Sequence, residues 1–277
     1  MAKKPFRLTK DNYFSQEANE RYMSVSQYKA FSKCEAAALA ELRGLYIRPT
    51  STAMLVGSYV DAYFEGTLNR FREEHPELFK KDGSLKAEFA HAETIIERME
   101  SDRLTMILQS GRKQVVKTGK IAGIKWKIKI DSLLGKRECA RLIEEFPLTR
   151  SIVGFGEGMI VDGKVMKDME DMYSEELHSF VSFIEAWQYD LQGAVYQVID
   201  GRWLPFVLQV ATKEAEPNLG AFHIPNDHLA MKLEEIEEYA PRYDQIKKGL
   251  IEPKRCENCD YCRKTKKLIK IDSFMEV

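Results

Sequence analysis

The chain has 277 residues, 44% hydrophobic and 31% charged, enough for one sizeable core or about two small domains. Lys plus Arg is 42 against 43 Asp plus Glu, a net charge of -1 that excludes a histone-like polycation but not local basic patches. Five cysteines are too few for a disulfide-built scaffold, and there is no apolar run of about 18 residues, so the expectation is a protein without a membrane span in a reducing, cytoplasmic compartment.

The opening MAKKPFRLTKDNYFSQ has no apolar h-region; a loosely held segment over 1–20 is expected there, not a secretory signal. YMSVSQYKAFSKCEAAALAELRG puts Tyr28, Phe31, Ala38 and Leu42 on a helical period, with Ser24 or Ser26 as cap and Gly44 as stop. SSTAMLVGSYVDAYFEG predicts a helix from Ser51 to Glu65, where Gly57 marks a tight contact or a boundary. A turn at Asp82-Gly83 precedes an amphipathic helix over 86–108. QVVKTGKIAGIKWKIKIDSLLG carries the clearest strand signal: Ile124, Trp126, Ile128 and Ile130 alternate onto one face, with Lys-Thr-Gly and Ala-Gly as turns. KRECARLIEEFPLTRSIV reads as a short helix and GEGMIVDGKVMKDME as a strand with a turn. SFVSFIEAWQYDLQGAVYQVIDG reads as one long helix over 178–199, followed by strands in RWLPFVLQVATKEA and LGAFHIP and a helix interrupted or ended near Pro241. That order predicts an α/β fold with a mixed sheet flanked by helices.

Asp131 ends the alternating strand, and Asp162 follows an apolar run with Lys164 two residues on, hence on the same strand face. If those strands are neighbours, two carboxylates and an ammonium converge, a set suited to Mg²⁺ or Mn²⁺ and phosphoester hydrolysis. The plain alternative is a solvated β-turn at Asp162-Gly163-Lys164 and a strand-end carboxylate at Asp131. Eight basic residues and no acid lie between Arg103 and Lys129, and Lys125, Lys127 and Lys129 share the face opposite the apolar one. Such a row suits a phosphate backbone, or simply a solvated sheet face. Gln192 and Tyr196, four apart, share a helix face that could touch phosphate or merely pack.

Cys256, Cys259 and Cys262 form C-x₂-C-x₂-C, three ligands for one metal or cluster, with Cys34 and Cys139 as candidates for the fourth. Residues 247–270 around them carry nine Lys or Arg against three acids, a charge excess that suits contact with nucleic acid. There is no GxxxxGK[ST], and GFGEG at 154–158 lacks a following helix, so neither a P-loop nor a dinucleotide fingerprint is present.

The order of KIDSLL, MIVDGKVMKD and AWQYDLQGAVYQ, preceded by YMSVSQYKAFSKCEAAALAEL and GSYVDAYFEG, resembles the PD-(D/E)XK nuclease superfamily in its RecB-like branch, especially the phage and prophage RecE-type exonucleases (exodeoxyribonuclease VIII). The resemblance runs from about residue 22 to 267 and implies a restriction-endonuclease-like core, with a single nuclease domain over 21–268 and a tail over 269–277. It implies that Asp131 and Asp162 bind Mg²⁺ or Mn²⁺ with the backbone carbonyl of Val165, that Lys164 orients or activates water, and that Gln192 and Tyr196 help hold the DNA end. Asp61 stands where relatives often carry a histidine, as a further metal ligand, and 135–158 looks like an insertion.

By the same resemblance Cys34 joins Cys256, Cys259 and Cys262 around a [4Fe-4S] cluster, with Zn²⁺ as the alternative. The implied activity is 5′-to-3′ exonuclease digestion of linear double-stranded DNA for phage-type recombination, in a bacterial or phage-infected cytoplasm. A single-strand-annealing protein and a ring-like homo-oligomer are the implied partners. The alternatives are a non-catalytic, cysteine-pinned DNA-binding accessory and a CRISPR-adaptation-like end-processing nuclease.

Overall fold

The computed structural model describes residues 6–153, 156–175, 177–268 and 271. The segment 112–134, with its apolar-polar alternation over 124–130, folds into a hairpin of β1 (Arg112–Ile121) and β2 (Ile124–Leu134), closed by Ala122 and Gly123 at φ 51 and 77. A two-residue turn with both φ positive matches the right-handed twist of its strands. Ahead of it lie α1 (Gln16–Arg21), α2 (Val25–Lys33), α3 (Glu35–Leu42), α4 (Thr52–Phe64), α5 (Leu68–Glu74), α6 (Ala87–Ser101) and α7 (Arg103–Leu108). After it come α8 (Lys136–Glu145), α9 (Arg150–Val153), β3 (Met159–Met166), β4 (Met172–Ser174), β5 (Ser179–Val181), α10 (Phe183–Ala186) and α11 (Tyr189–Asp200). The chain then forms β6 (Phe206–Thr212), β7 (Leu219–Ile224), α12 (Asn226–Lys247) and α13 (Asp260–Thr265).

Five strands make one sheet in the order β1-β2-β3-β6-β7. Only β3 and β6 run parallel, so the sheet is mixed, and α10 and α11 lie in the connection between them. Every residue of β6 is buried, as a central strand covered on both faces requires. Trp126, Ile128, Ile130 and Phe206 pack on one face against residues of α2, α11 and α12. The other face carries Val165 and Ala211 against α4 and α6, and Val161 and Val207 against α7 and α8. The result is a mixed α/β fold whose sheet is flanked by helices, as a restriction-endonuclease-like core requires. Among the described residues no helix is long and apolar enough to cross a membrane.

Several elements differ from expectation for local reasons. The first helix is two, because Cys34 at φ -163 breaks it between Lys33 and Glu35. The 86–108 helix likewise splits at Asp102, whose carboxylate caps α7 through the Thr105 N–H at 2.8 Å. Gly57 has open space around it and makes no tight contact. Lys117-Thr118-Gly119 is strand and not turn; a Cβ on Gly119 would stand 2.8 Å from Ile199, so the glycine lets α11 approach β1. Nor is Asp162-Gly163-Lys164 a turn, since all three lie inside β3.

The long 178–199 helix is the largest difference. Phe180, Phe183 and Trp187 imitate a helical period, but Ser179–Val181 pairs with β4, Ser182 caps the short α10, and Gln188 at φ 53 starts α11 afresh. Pro241 does not stop α12, because the carbonyl that loses its donor belongs to exposed Glu237 and can meet water. Over its described part the N-terminal segment packs against the fold. Tyr13 and Ala18 are buried, and Met23 pairs with β2 through Lys125 O and the Lys127 N–H. Most of the expected 269–277 tail, and Gly154 and Phe155 of the 135–158 segment, lie outside the described residues.

Candidate active site

Two strands bring the carboxylates together. The β2–β3 ladder runs from Leu134↔Met159 to Ser132↔Val161, which leaves Asp131 and Asp162 next in register. In place of a further ladder rung, Asp131 Oδ2 accepts the Gly163 backbone N–H at 3.0 Å. Asp162 is buried, with Oδ1 accepting from Gln192 Nε2 at 2.6 Å and Oδ2 accepting from Lys164 Nζ. Period-two spacing within β3 and one turn of α11 thus surround the same carboxylate.

Asp61, from α4, shares a cleft with Asp131, Lys164 and Val165, the position whose carbonyl was expected to bind metal. The three acids do not all lie within 4.8 Å of one another: among the described residues the one group of three or more His, Cys, Asp or Glu ligand atoms that does so is the cysteine set. The cleft's donor set, carboxylates with a backbone carbonyl, is nevertheless of the hard oxygen type that Mg²⁺ and Mn²⁺ take.

Burial pushes the Asp162 carboxyl up to about 6, the Lys164 ammonium pulling against it and Asp131 adding to it. Burial acts to lower Lys164, but Asp162 and Asp131 outweigh it and hold the ammonium above its ordinary value. Raised in this way, Lys164 is held as the ammonium that donates to Asp162. Asp61 keeps solvent contact, yet enclosure by the cleft and then the Asp131 charge raise its carboxyl above the usual carboxylate range.

Tyr196 is spent elsewhere. It is 8% exposed and donates its hydroxyl to the Lys129 carbonyl at 3.0 Å, so it braces β2. The lysine row is also interrupted. Lys125 is exposed, but Lys127 is 1% exposed, its ammonium on Tyr13 O and Asn19 Oδ1, and Lys129 lies 4.8 Å over the Phe14 ring. The segment around Tyr13 covers that face, which cannot track a phosphate backbone as a continuous row.

Other groups at the site had no motif to reveal them. Glu65, Gln109, Lys113 and Gln114 line the cleft, and burial lowers Lys113 to about 8. Lys29, from α2, donates to Trp187 O at 2.7 Å, and burial followed by repulsion from Lys164 lowers it to about 8. The Tyr189 ring centroid lies 5.4 Å from Lys29 Nζ and 5.5 Å from Lys164 Nζ. The basic excess before Lys129 was a signal for Lys113; nothing in the sequence marked Lys29 or Tyr189.

The second cluster is formed by Cys34, Cys256, Cys259 and Cys262, with sulfurs all within 4.8 Å of one another. The α2–α3 break turns Cys34 toward α13, where Cys262 is fully buried. Cys139 is buried in the separate core beneath α8 and is not the fourth member. Backbone N–H groups of Asn258 and Cys259 draw the Cys256 thiol down to about 6, favouring the thiolate a metal needs.

Thiolates ~2.3 Å from one tetrahedral ion stand ~3.8 Å apart. Cys34–Cys262 at 3.6 Å and Cys256–Cys262 at 4.0 Å match that spacing. A cubane carries its thiolates on separate irons ~6 Å apart, so it would need this cage to open outward. The site is one of four cysteines able to hold a metal ion or cluster.

Comparison with known proteins agrees with this architecture. Residues 24–141 and 153–265 match the family described as PDDEXK-like domain of unknown function (DUF3799). A crystal structure of a protein named "putative exonuclease" from Eubacterium rectale is 41% identical, covers 98% of each chain and superposes with a TM-score of 0.86. No curated protein matches the chain. The chain belongs to the PDDEXK-like family.

Proposed function

We propose that this PDDEXK-like chain is a divalent-metal-dependent DNA nuclease that processes the ends of duplex DNA. The observation that carries the reading is the tie between Asp131 and Gly163, which joins β2 to β3 between Asp162 and Lys164. Asp131, Asp162, Asp61 and the carbonyl of Val165 are the residues that would hold Mg²⁺ or Mn²⁺. Bound there, the ion would supply Lewis acidity to the scissile phosphate and lower the pKa of a water.

The chain's own residues account for the rest. Lys164, charged and beside Asp162, aligns the attacking water or a phosphate oxygen. Gln192 fixes Asp162, and Tyr196 fixes the strand that carries Asp131. On this reading, in-line attack of water on the phosphorus would break the P–O3′ bond, leaving a 5′-phosphate on one product and a 3′-hydroxyl on the other. The name of the Eubacterium rectale relative supports action from ends, and the RecB/RecE-like order of motifs supports 5′-to-3′ polarity, a recombination role and a single-strand-annealing partner.

The four cysteines favour a particular form of this activity. A metal joining Cys34 to the C-terminal C-x₂-C-x₂-C pins the two ends of the domain, as in the end-trimming nucleases of CRISPR adaptation, and supports limited trimming over sustained resection. The sulfur spacing supports Zn²⁺ there, whereas the pattern of an upstream cysteine with a C-terminal triplet supports [4Fe-4S].

End-labelled linear duplex DNA incubated with Mg²⁺, Mn²⁺ or EDTA, beside Lys164→Ala, tests the proposal. Metal-dependent cleavage lost in the variant is expected, with a short, defined product for trimming and a ladder of mononucleotides for resection. DNA binding that persists in EDTA with no cleavage in either metal would replace the nuclease by a cysteine-pinned binding module.

A further inference from the structure

Where β1 faces Asp131, the hairpin departs from its own pattern. Pairing runs through Lys113↔Ser132 and resumes at Val115↔Ile130, omitting the Gln114 and Asp131 between them. Gln114 has φ 54, the left-handed region that glycine occupies freely and a long side chain occupies at a cost. Its side chain is not released to solvent in exchange, for the residue is 7% exposed and lines the cleft with Asp61, Asp131 and Lys164.

The amide is used on one side only. Nε2 donates to Asp131 Oδ1 at 3.4 Å, while Oε1 is buried with no hydrogen-bond donor among the described residues. Buried polar atoms are normally satisfied, and strain kept beside an orphaned acceptor needs a reason. Gly163 already holds the other oxygen of Asp131, so the two contacts fix the plane of that carboxylate. A water bound to a divalent cation is polarised and is a strong donor to an oxygen placed just behind the ligand.

We propose that Gln114 is a positioning residue of the metal site, aiming Asp131 with its Nε2 and accepting through Oε1 a hydrogen bond from a cation-bound water. The inference rests on the metal-dependent reading above and extends it to a residue outside the nuclease motifs.

The test is Mn²⁺ binding to the full chain without DNA, followed by the EPR signal of free Mn²⁺, with thermal denaturation in EDTA alongside. Wild type is compared with Gln114→Gly, Gln114→Met and Gln114→Glu. Glycine relieves the left-handed backbone, so that variant melts at or above the wild-type temperature while its Mn²⁺ dissociation constant rises ~10-fold or more. Methionine keeps the bulk and loses affinity similarly; glutamate keeps an oxygen acceptor but lacks the N–H that aims Asp131, so its affinity falls between wild type and the methionine variant.

A residue serving only the fold gives the opposite pattern. If the glycine and methionine variants bind Mn²⁺ as wild type does, the positioning role is overturned and the nuclease reading stands. If wild type itself binds no Mn²⁺, the metal site of the proposed function falls and this inference falls with it.

Discussion

Asp131 Oδ2 accepts the backbone N–H of Gly163 at 3.0 Å, so an acid inside β2, three residues before its end, is fastened to β3 at the residue between Asp162 and Lys164. Side-chain chemistry has replaced a ladder rung there, and the carboxylate's position is set by the sheet.

Asp131→Asn keeps an acceptor for that N–H and removes the charge. Its melting temperature should stay within about 2 °C of wild type, while single-turnover cleavage falls by at least ~100-fold, the loss expected when an anionic ligand to a catalytic cation becomes neutral. Equal cleavage by the two proteins would remove Asp131 from the metal site.

Asp162 makes the protein's pH response predictable in sign. Its carboxyl titrates near about 6 when folded and at the ordinary 3.8 when unfolded, so the native state binds more protons between those values. The contribution of Asp162 to stability in EDTA, read as the difference between wild type and Asp162→Asn, should be greatest below the lower value and be lost as pH rises through the upper one. Cleavage should rise over the same window, because the metal needs the carboxylate. Lys164→Ala removes the ammonium that opposes burial and should move the stability inflection to higher pH. Urea unfolding from pH 4 to pH 7 in EDTA reads both effects, and a flat difference would contradict the raised carboxyl.

Cys34 and Cys262 lie 228 residues apart in sequence and 3.6 Å apart in space. A metal held across that separation is a tie in the folded state that the unfolded chain lacks. Cys262→Ser should lose the bound metal and melt at least roughly 5 °C lower, since ~1 kcal/mol shifts a domain above 150 residues by about 2–4 °C. Metal analysis of protein purified without oxygen distinguishes one zinc from iron with acid-labile sulfide. Metal-free protein with unchanged melting would leave the four thiols without a structural role.

Lys127 looked like a DNA contact in the sequence and is a buried tie in the fold. Lys127→Ala should destabilise the chain by about 2 kcal/mol or more, because it leaves Tyr13 O and Asn19 Oδ1 without their charged donor. The salt dependence of DNA binding should not change. Equilibrium unfolding and a binding titration over NaCl concentration read the two effects; a shallower salt slope would return Lys127 to the DNA surface.

Much of this architecture was legible because it is periodic or spaced. Alternation over 124–130 gave β2 its buried face, and the D-x-K spacing put Asp162 and Lys164 on one face of β3. Three cysteines within seven residues announced a ligand set before any fold was known. The same local logic misread 178–199, where aromatic residues at helical spacing belong to a hairpin, a capped turn and a separate helix.

Local pattern, then, determined the sheet-and-helix class, the shared β3 face of Asp162 and Lys164, and three of the four clustered thiols. The tertiary structure decided which side chains share an environment: Lys127 turned inward under Tyr13, Tyr196 consumed by the Lys129 carbonyl, Cys34 and not Cys139 beside the triplet, and Gln114 strained beside Asp131. The reason is physical. Periodicity reports which face of an element is buried, whereas the partner of a buried polar group is chosen by how elements distant in sequence pack, and no spacing within one segment encodes that choice.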